Sequence, residues 1–270
     1  MAAVKSRMVN LLQFTGLYPA AAGVKRWVTR HAPWQDSDER EELAAAVRFY
    51  RGFVKTANLC FDVGAHHGVR TDVFLELGAR VVAVEPQPDC VRELERKYAR
   101  DGRVEIVPKG LAEQEGEKTL HECNHSTCAS MAEDWIASVK DWERLKGRKW
   151  ETTRTVAVTT LDRLIERHGL PAFCKIDVEG FELQVVKGLS RAIPALSLEY
   201  NPRHLGVVGE CVDRLHTLGD YEFNYSEGDS MELALADWLP YEDLRSEIRE
   251  TLPGRNVYGD IYARLRSALK

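Results

Sequence analysis

From Leu59 onward the chain alternates short apolar runs with longer stretches whose apolar residues recur at helical spacing. Leu59 to Val63, Arg80 to Glu85, Val104 to Val107, Ala172 to Ile176 and Ala195 to Glu199 each read as a buried strand. Between them, Val69 to Leu77 predicts a helix ended by Gly78. Pro88 to Arg100 predicts another, with proline in its first turn and basic residues in its last. Leu161 to His168, ended by Gly169, and a segment from about Phe181 supply two more. Helix Gly209 to Leu218 and strands Tyr221 to Tyr225 and Val257 to Leu265 complete the pattern. Strands alternating with helices of this length predict a mostly parallel, twisted sheet flanked by helices and joined by right-handed crossovers.

Two segments break the rhythm. Residues 1–55 show no strand pattern and predict an N-terminal helical extension, leaving residues 56–270 as the α/β domain. Within the extension, Ser37-Asp38-Glu39 marks a helix start, with Leu43, Val47 and Tyr50 on one face. Met1 to Ala22 carries Lys5 and Arg7 ahead of apolar residues. Asn10, Gln13 and Thr15 interrupt that stretch, so it predicts a short amphipathic helix rather than a signal peptide. Residues 112–158 are polar and hold Trp135, Trp142 and Trp150. They predict an insertion with a strand at Lys118 to Cys123, a helix at Asp134 to Lys146 and a strand at Thr153 to Val158. An insertion beside the crevice of an open sheet is a place where substrate contacts are built.

Composition narrows the class. Of 270 residues, 44% are hydrophobic and 29% charged, the proportions of an ordinary globular protein. No apolar run reaches the ~18 to 20 residues that span a bilayer. A net charge of −5 gives no reason to expect nucleic acid as a partner. Six scattered cysteines in a chain of this length read as reduced thiols and predict a cytoplasmic protein. His121-x-Cys123-x-His125-x-x-Cys128 has metal-ligand residue types but no second spaced pair, so it reads as a loop bordering the substrate pocket. Oligomeric state is left open, a homodimer included.

The candidate chemistry starts at Asp62-Val63-Gly64-Ala65-His66-His67-Gly68, which joins a strand to a helix. Gly64 and Gly68 permit the close approach that a nucleotide-type loop needs. The third glycine of a dinucleotide fingerprint is missing, which argues against a tight pyrophosphate turn and so against an NAD-dependent oxidoreductase. About twenty residues on, Glu85 ends the second strand, where a carboxylate accepts hydrogen bonds from both ribose hydroxyls. Loop and carboxylate together describe a nucleoside pocket without a diphosphate cradle, which fits S-adenosylmethionine. A fold retained only as a binding module is the non-enzyme alternative.

Four blocks carry a family resemblance: Phe61-Asp62-Val63-Gly64-Ala65-x-x-Gly68-x-x-Thr71, Val84-Glu85-Pro86-x-Pro88, Thr160-Leu161-Asp162-x-Leu164 and Lys175-Ile176-Asp177-Val178-Glu179-Gly180-Phe181-Glu182. In this order they resemble the FkbM-type methyltransferases. The resemblance implies a Rossmann-like class I methyltransferase fold and S-adenosylmethionine-dependent O-methylation of a hydroxyl on a sugar, glycan, glycolipid or secondary metabolite. It implies that Asp62, Gly64, Ala65, His66, Gly68 and Thr71 surround the methionine part of the cofactor. Glu85 and Pro86 would meet its ribose, and Lys109, Gly110 and Leu111 its adenine. Two positions where the family commonly has asparagine hold His66 and Lys109 here.

Methyl transfer to an alcohol requires alignment of the acceptor oxygen and removal of its proton. Asp177 ranks first for that work, with cofactor binding an equal alternative role. Glu199 and His67 are the further catalytic candidates. Asp177, Glu179 and Glu199 could together bind Mg²⁺ through oxygen ligands, but the spacing does not require it, and no metal is predicted.

Overall fold

The computed structural model describes residues 36–269. The helix expected within Met1 to Ala22 lies outside them. Two compact units divide at Ala46 and Val47. Helix α1 (Asp36–Tyr50) crosses that division, and the rest of the description concerns the unit from Val47 onward.

That unit is built on a seven-stranded sheet. Its strands are β1 (Leu59–Val63), β2 (Arg80–Val84), β3 (Val104–Val107), β7 (Phe173–Ile176), β8 (Ala195–Tyr200), β9 (Tyr221–Glu227) and β10 (Gly259–Leu265), in the order β3-β2-β1-β7-β8-β10-β9. The pairs from β3 to β8 are all parallel, and β10 runs antiparallel between β8 and β9. The left half shares its strand order with doubly wound nucleotide-binding sheets. The reversed last strand, β10, fills the gap between β8 and β9 and closes the right half. Order reverses between β1 and β7, and the carboxyl ends of these two strands frame the crevice where such sheets bind ligands.

Helices α2 (Val69–Glu76), α3 (Pro88–Tyr98), α5 (Leu161–His168), α6 (Glu182–Lys187), α7 (Leu205–Leu218), α8 (Tyr241–Glu250) and the short α9 (Leu252–Arg255) accompany the sheet. The parallel strands β1, β2, β7 and β8 bury nearly every side chain, which is why they read as continuous apolar runs. An aromatic cluster sits below the crevice: Tyr50 meets Phe74 and Phe173 edge-on at 5.4 and 5.5 Å, and Phe53 stacks on Tyr262 at 5.5 Å.

The insertion forms a separate three-stranded sheet of β4 (Gly110–Leu111), β5 (Gly116–Glu122) and β6 (Thr152–Thr159), ordered β4-β6-β5. Its helix α4 (Glu133–Val139) is shorter than the expected Asp134 to Lys146. A continuous helix would carry Leu145 about 15 Å along the axis from Trp135. Instead the chain turns after Val139, and Leu145 and Trp150 fold back on the cluster of Ala132, Trp135 and Val139. Helix α7 begins at Leu205, before the expected Gly209, and β10 at Gly259, after the expected Val257. Among the described residues no helix is long and apolar enough to cross a membrane.

Candidate active site

The glycine loop leaves β1 through two left-handed residues, Gly64 at φ 81° and His66 at φ 48°. A Cβ at Gly64 would lie 1.8 Å from the backbone oxygen of Asp177, so glycine alone lets the ends of β1 and β7 approach this closely. Gly68, at φ 76°, opens α2. Asp62 is buried, and the Thr71 hydroxyl donates to its carboxylate at 2.6 Å. Thr71 therefore orients Asp62. Burial raises the Asp62 carboxyl above its ordinary range, against the lowering effect of that hydrogen bond.

Glu85 is 2% exposed at the end of β2. Its two oxygens accept from the backbone N–H groups of His66 (2.9 Å) and Gln87 (2.8 Å), which ties the loop to the strand end. Each carboxylate oxygen keeps acceptor capacity for a further donor. Burial pushes the Glu85 carboxyl up to about 7 despite these bonds. Pro86 is half-buried beside it, and Lys109 is half-buried after β3. Gly110 and Leu111 lie inside β4, where Leu111 has no exposed surface and a Cβ at Gly110 would meet the Met131 methyl at 2.9 Å.

Asp177 follows β7 directly, and its amide donates to the Val63 carbonyl at 3.0 Å. Beneath it is Lys175, a buried ammonium 3.0 Å from Asp177 and 2.8 Å from Asp260. Lysine in the middle of an apolar strand is the signal that could have flagged this bridge, since a buried ammonium requires partners. Burial opposes ionisation of Asp177, but Lys175, with Arg70 behind it, holds its carboxyl below the usual range.

Carboxylate oxygens of Asp177, Glu179 and Glu199 lie within 4.8 Å of one another, and all three residues are half-buried. Glu199 is the last residue but one of β8 and hydrogen-bonds to Asp177. Burial and the neighbouring carboxylates raise Glu179 and Glu199 well above the ordinary range. The group therefore holds protons in common, with Asp177 the member that stays ionised. Its oxygens also make a donor set of the kind Mg²⁺ takes.

The turn after Asp177 is held from two sides. Glu179 is left-handed at φ 52°. Glu182 Oε1 accepts from the N–H groups of Val178 (3.1 Å) and Gly180 (3.3 Å), and Ser130 of the insertion donates to the Glu179 carbonyl at 2.6 Å. A hollow beside Glu199 is lined by Trp135, Gly180, Tyr200, Asn201 and His204, so the insertion supplies one wall.

The two loop histidines differ in setting. His66 is half-buried with Nε2 2.8 Å from Ser126 Oγ. His67 is exposed, with Nδ1 2.9 Å from Glu93 on α3. The insertion's His121, Cys123, His125 and Cys128 do not gather as one ligand set among the described residues. His121 pairs with Glu133 at 3.3 Å and His125 with Thr127 at 2.7 Å.

The chain is similar to several methyltransferases. Hexuronic acid methyltransferase AglP of Haloferax volcanii is 25% identical over 185 residues, which cover 67% of this chain and 70% of that protein. Precorrin-6y C5,15-methyltransferase of Geobacter metallireducens superposes with a TM-score of 0.44 at 11% identity, over 83% of this chain and 87% of that one. An S-adenosylmethionine-dependent O-methyltransferase of Thermotoga maritima gives a TM-score of 0.39 at 12% identity, over 82% and 64%. The methyltransferase FkbM domain matches residues 62–231, from the glycine loop past β9. The chain belongs to the FkbM methyltransferase family, and it is a methyltransferase.

Proposed function

We propose that this enzyme uses S-adenosylmethionine to methylate a saccharide hydroxyl, with hexuronate-bearing glycans the first acceptors to try. The observation that carries the reading is the convergence at the switch point: a glycine loop, a buried acceptor in Glu85, and the hydrogen-bonded Asp177–Glu199 pair at neighbouring strand ends. Family membership implies the cofactor. The hexuronic acid methyltransferase among its relatives points toward a sugar. Unpaired cysteines, five of the six buried, fit work in a reducing cytoplasm.

In this reading Asp62 to Gly68 cradle the methionine part of the cofactor, with Thr71 fixing Asp62. Glu85 accepts from the ribose hydroxyls next to Pro86, and the segment Lys109 to Leu111 backs the adenine side. When bound, the cofactor supplies a methyl group on a sulfonium, an electrophile that needs no further activation. What remains for the protein is to hold the acceptor oxygen in line and take its proton. The Asp177–Glu199 pair retains one proton and offers a carboxylate oxygen for a second. Lys175 balances the charge of Asp177 from below and fixes its position, so the pair works without a metal ion. His67, already engaged by Glu93, is placed less well for this step.

The test is incubation with S-adenosylmethionine and a panel of hexuronates and their neutral hexose counterparts, read by mass spectrometry for one added methyl. Transfer to a hydroxyl, reduced about 100-fold or more in Asp177→Asn and Glu199→Gln, is the expected result. Transfer to nitrogen or carbon acceptors only, or full activity in both variants, would overturn the reading.

A further inference from the structure

Away from the carboxylates, a second group of ligating side chains gathers where the glycine loop meets α3. One ligand atom each from His66, His67 and Cys90 lie within 4.8 Å of one another. The two imidazole rings meet at a centroid separation of 3.8 Å. Each ring has a further partner. Glu93 accepts from Nδ1 of His67 at 2.9 Å, which leaves Nε2 with the free lone pair. A carboxylate behind an imidazole is the arrangement that orients metal-binding histidines and raises their basicity. The Ser126 hydroxyl, 2.8 Å from His66 Nε2, anchors the second ring to the insertion.

A cation bound there would displace the Cys90 thiol proton to solvent and neutralise the thiolate. Two imidazole nitrogens and one sulfur suit Zn²⁺ and are a poor match for Mg²⁺ or Ca²⁺.

We infer that His66, His67 and Cys90 form a site for one thiophilic divalent cation of the Zn²⁺ type, which fastens the glycine loop to α3. The site is separate from the Asp177 cluster and shares no ligand with it. Its consequence for the cofactor rests on the reading of Glu85 as the ribose acceptor. The amide of His66 is already tied to Glu85, so a cation that draws in the His66 ring competes with the nucleoside for the loop.

Untagged, full-length, reduced and metal-free protein is titrated with Co²⁺ as a spectroscopic probe and then with Zn²⁺ in competition. The expected result is one equivalent bound, with a sulfur-to-cobalt charge-transfer band that Zn²⁺ abolishes. Cys90→Ser removes the band, and His67→Asn, a change at the surface, weakens binding about 10-fold or more. The His67 variant keeps the test decisive if the buried Cys90 substitution impairs folding. Asp177→Asn leaves Co²⁺ binding unchanged. Absence of stoichiometric binding, binding indifferent to both Cys90→Ser and His67→Asn, or binding lost in Asp177→Asn overturns the site. S-adenosylhomocysteine is titrated by calorimetry with and without saturating Zn²⁺, and about a 10-fold weakening is expected. Equal affinities overturn the competition. No binding to the metal-free protein overturns the proposed cofactor instead, and leaves the cobalt result standing.

Discussion

Glu85 carries an ionisation cost that the cofactor would turn to use. Its folded carboxyl sits at about 7 against an ordinary 4.5, because it is buried. Between those values the folded chain binds more protons than the unfolded one, so stability falls as pH rises through that window. The effect is complete above 7, absent below 4.5, and amounts to about 3 kcal/mol. Glu182 titrates over the same range, so wild type alone does not isolate Glu85. The difference between Glu85→Gln and wild type does: it should move by about 3 kcal/mol in favour of glutamine from pH 4.5 to pH 8, read by denaturant melts. A pH-independent difference would show that Glu85 is already ionised in the folded chain. Lys175 is the complementary case, a buried cation between two carboxylates. Lys175→Met strands Asp260, which is only 7% exposed, and should cost about 3 kcal/mol. Adding Asp260→Asn should restore part of that stability by removing the stranded charge. If the double variant is no better than the single, the Lys175–Asp260 contact is not what stabilises this position.

The turn from β7 to α6 shows how one element builds the site. Gly180 has φ 92°, and a Cβ there would lie 2.3 Å from the Trp135 side chain. Gly180→Ala combines a left-handed backbone with that clash and should cost more than about 2 kcal/mol. It should also displace α4, seen as a change in tryptophan fluorescence. Unchanged stability and fluorescence would mean the insertion does not rest on this turn. Little of this contact was legible beforehand. Local periodicity disclosed β1, β2, α3 and α5 because each has its own apolar pattern and boundary residues. It could not disclose that Trp135 packs on Gly180, or that Lys175 meets Asp260 across 85 positions. Nor does a local pattern reveal that β10 inserts between β8 and β9. The early end of α4 has the same origin, since tertiary packing of Leu145 and Trp150 on Trp135 overrides a helical run.

At the scale of the whole sheet, the site exists because strand order reverses between β1 and β7. That reversal sends α2 and α6 to diverge and leaves the ends of β1, β2, β7 and β8 open together. Asp62, Glu85, Asp177 and Glu199 come from these four strand ends, so a ligand in the crevice would link them. Binding to the folded chain alone must then stabilise the sheet by mass action. S-adenosylhomocysteine at about 100 times its dissociation constant should add about 2.7 kcal/mol. For a domain of this size that raises Tm by roughly 5 to 10 °C. Glu85→Ala should remove the shift if, as proposed, Glu85 is the buried acceptor for the ribose donors. Glu199→Gln should keep it while losing turnover, if its proposed place is with the acceptor hydroxyl and not the nucleoside. With turnover assayed beside the melts, the two variants separate binding from chemistry. A shift that survives Glu85→Ala and vanishes in Glu199→Gln would exchange the two roles and move the nucleoside to the other side of the switch point.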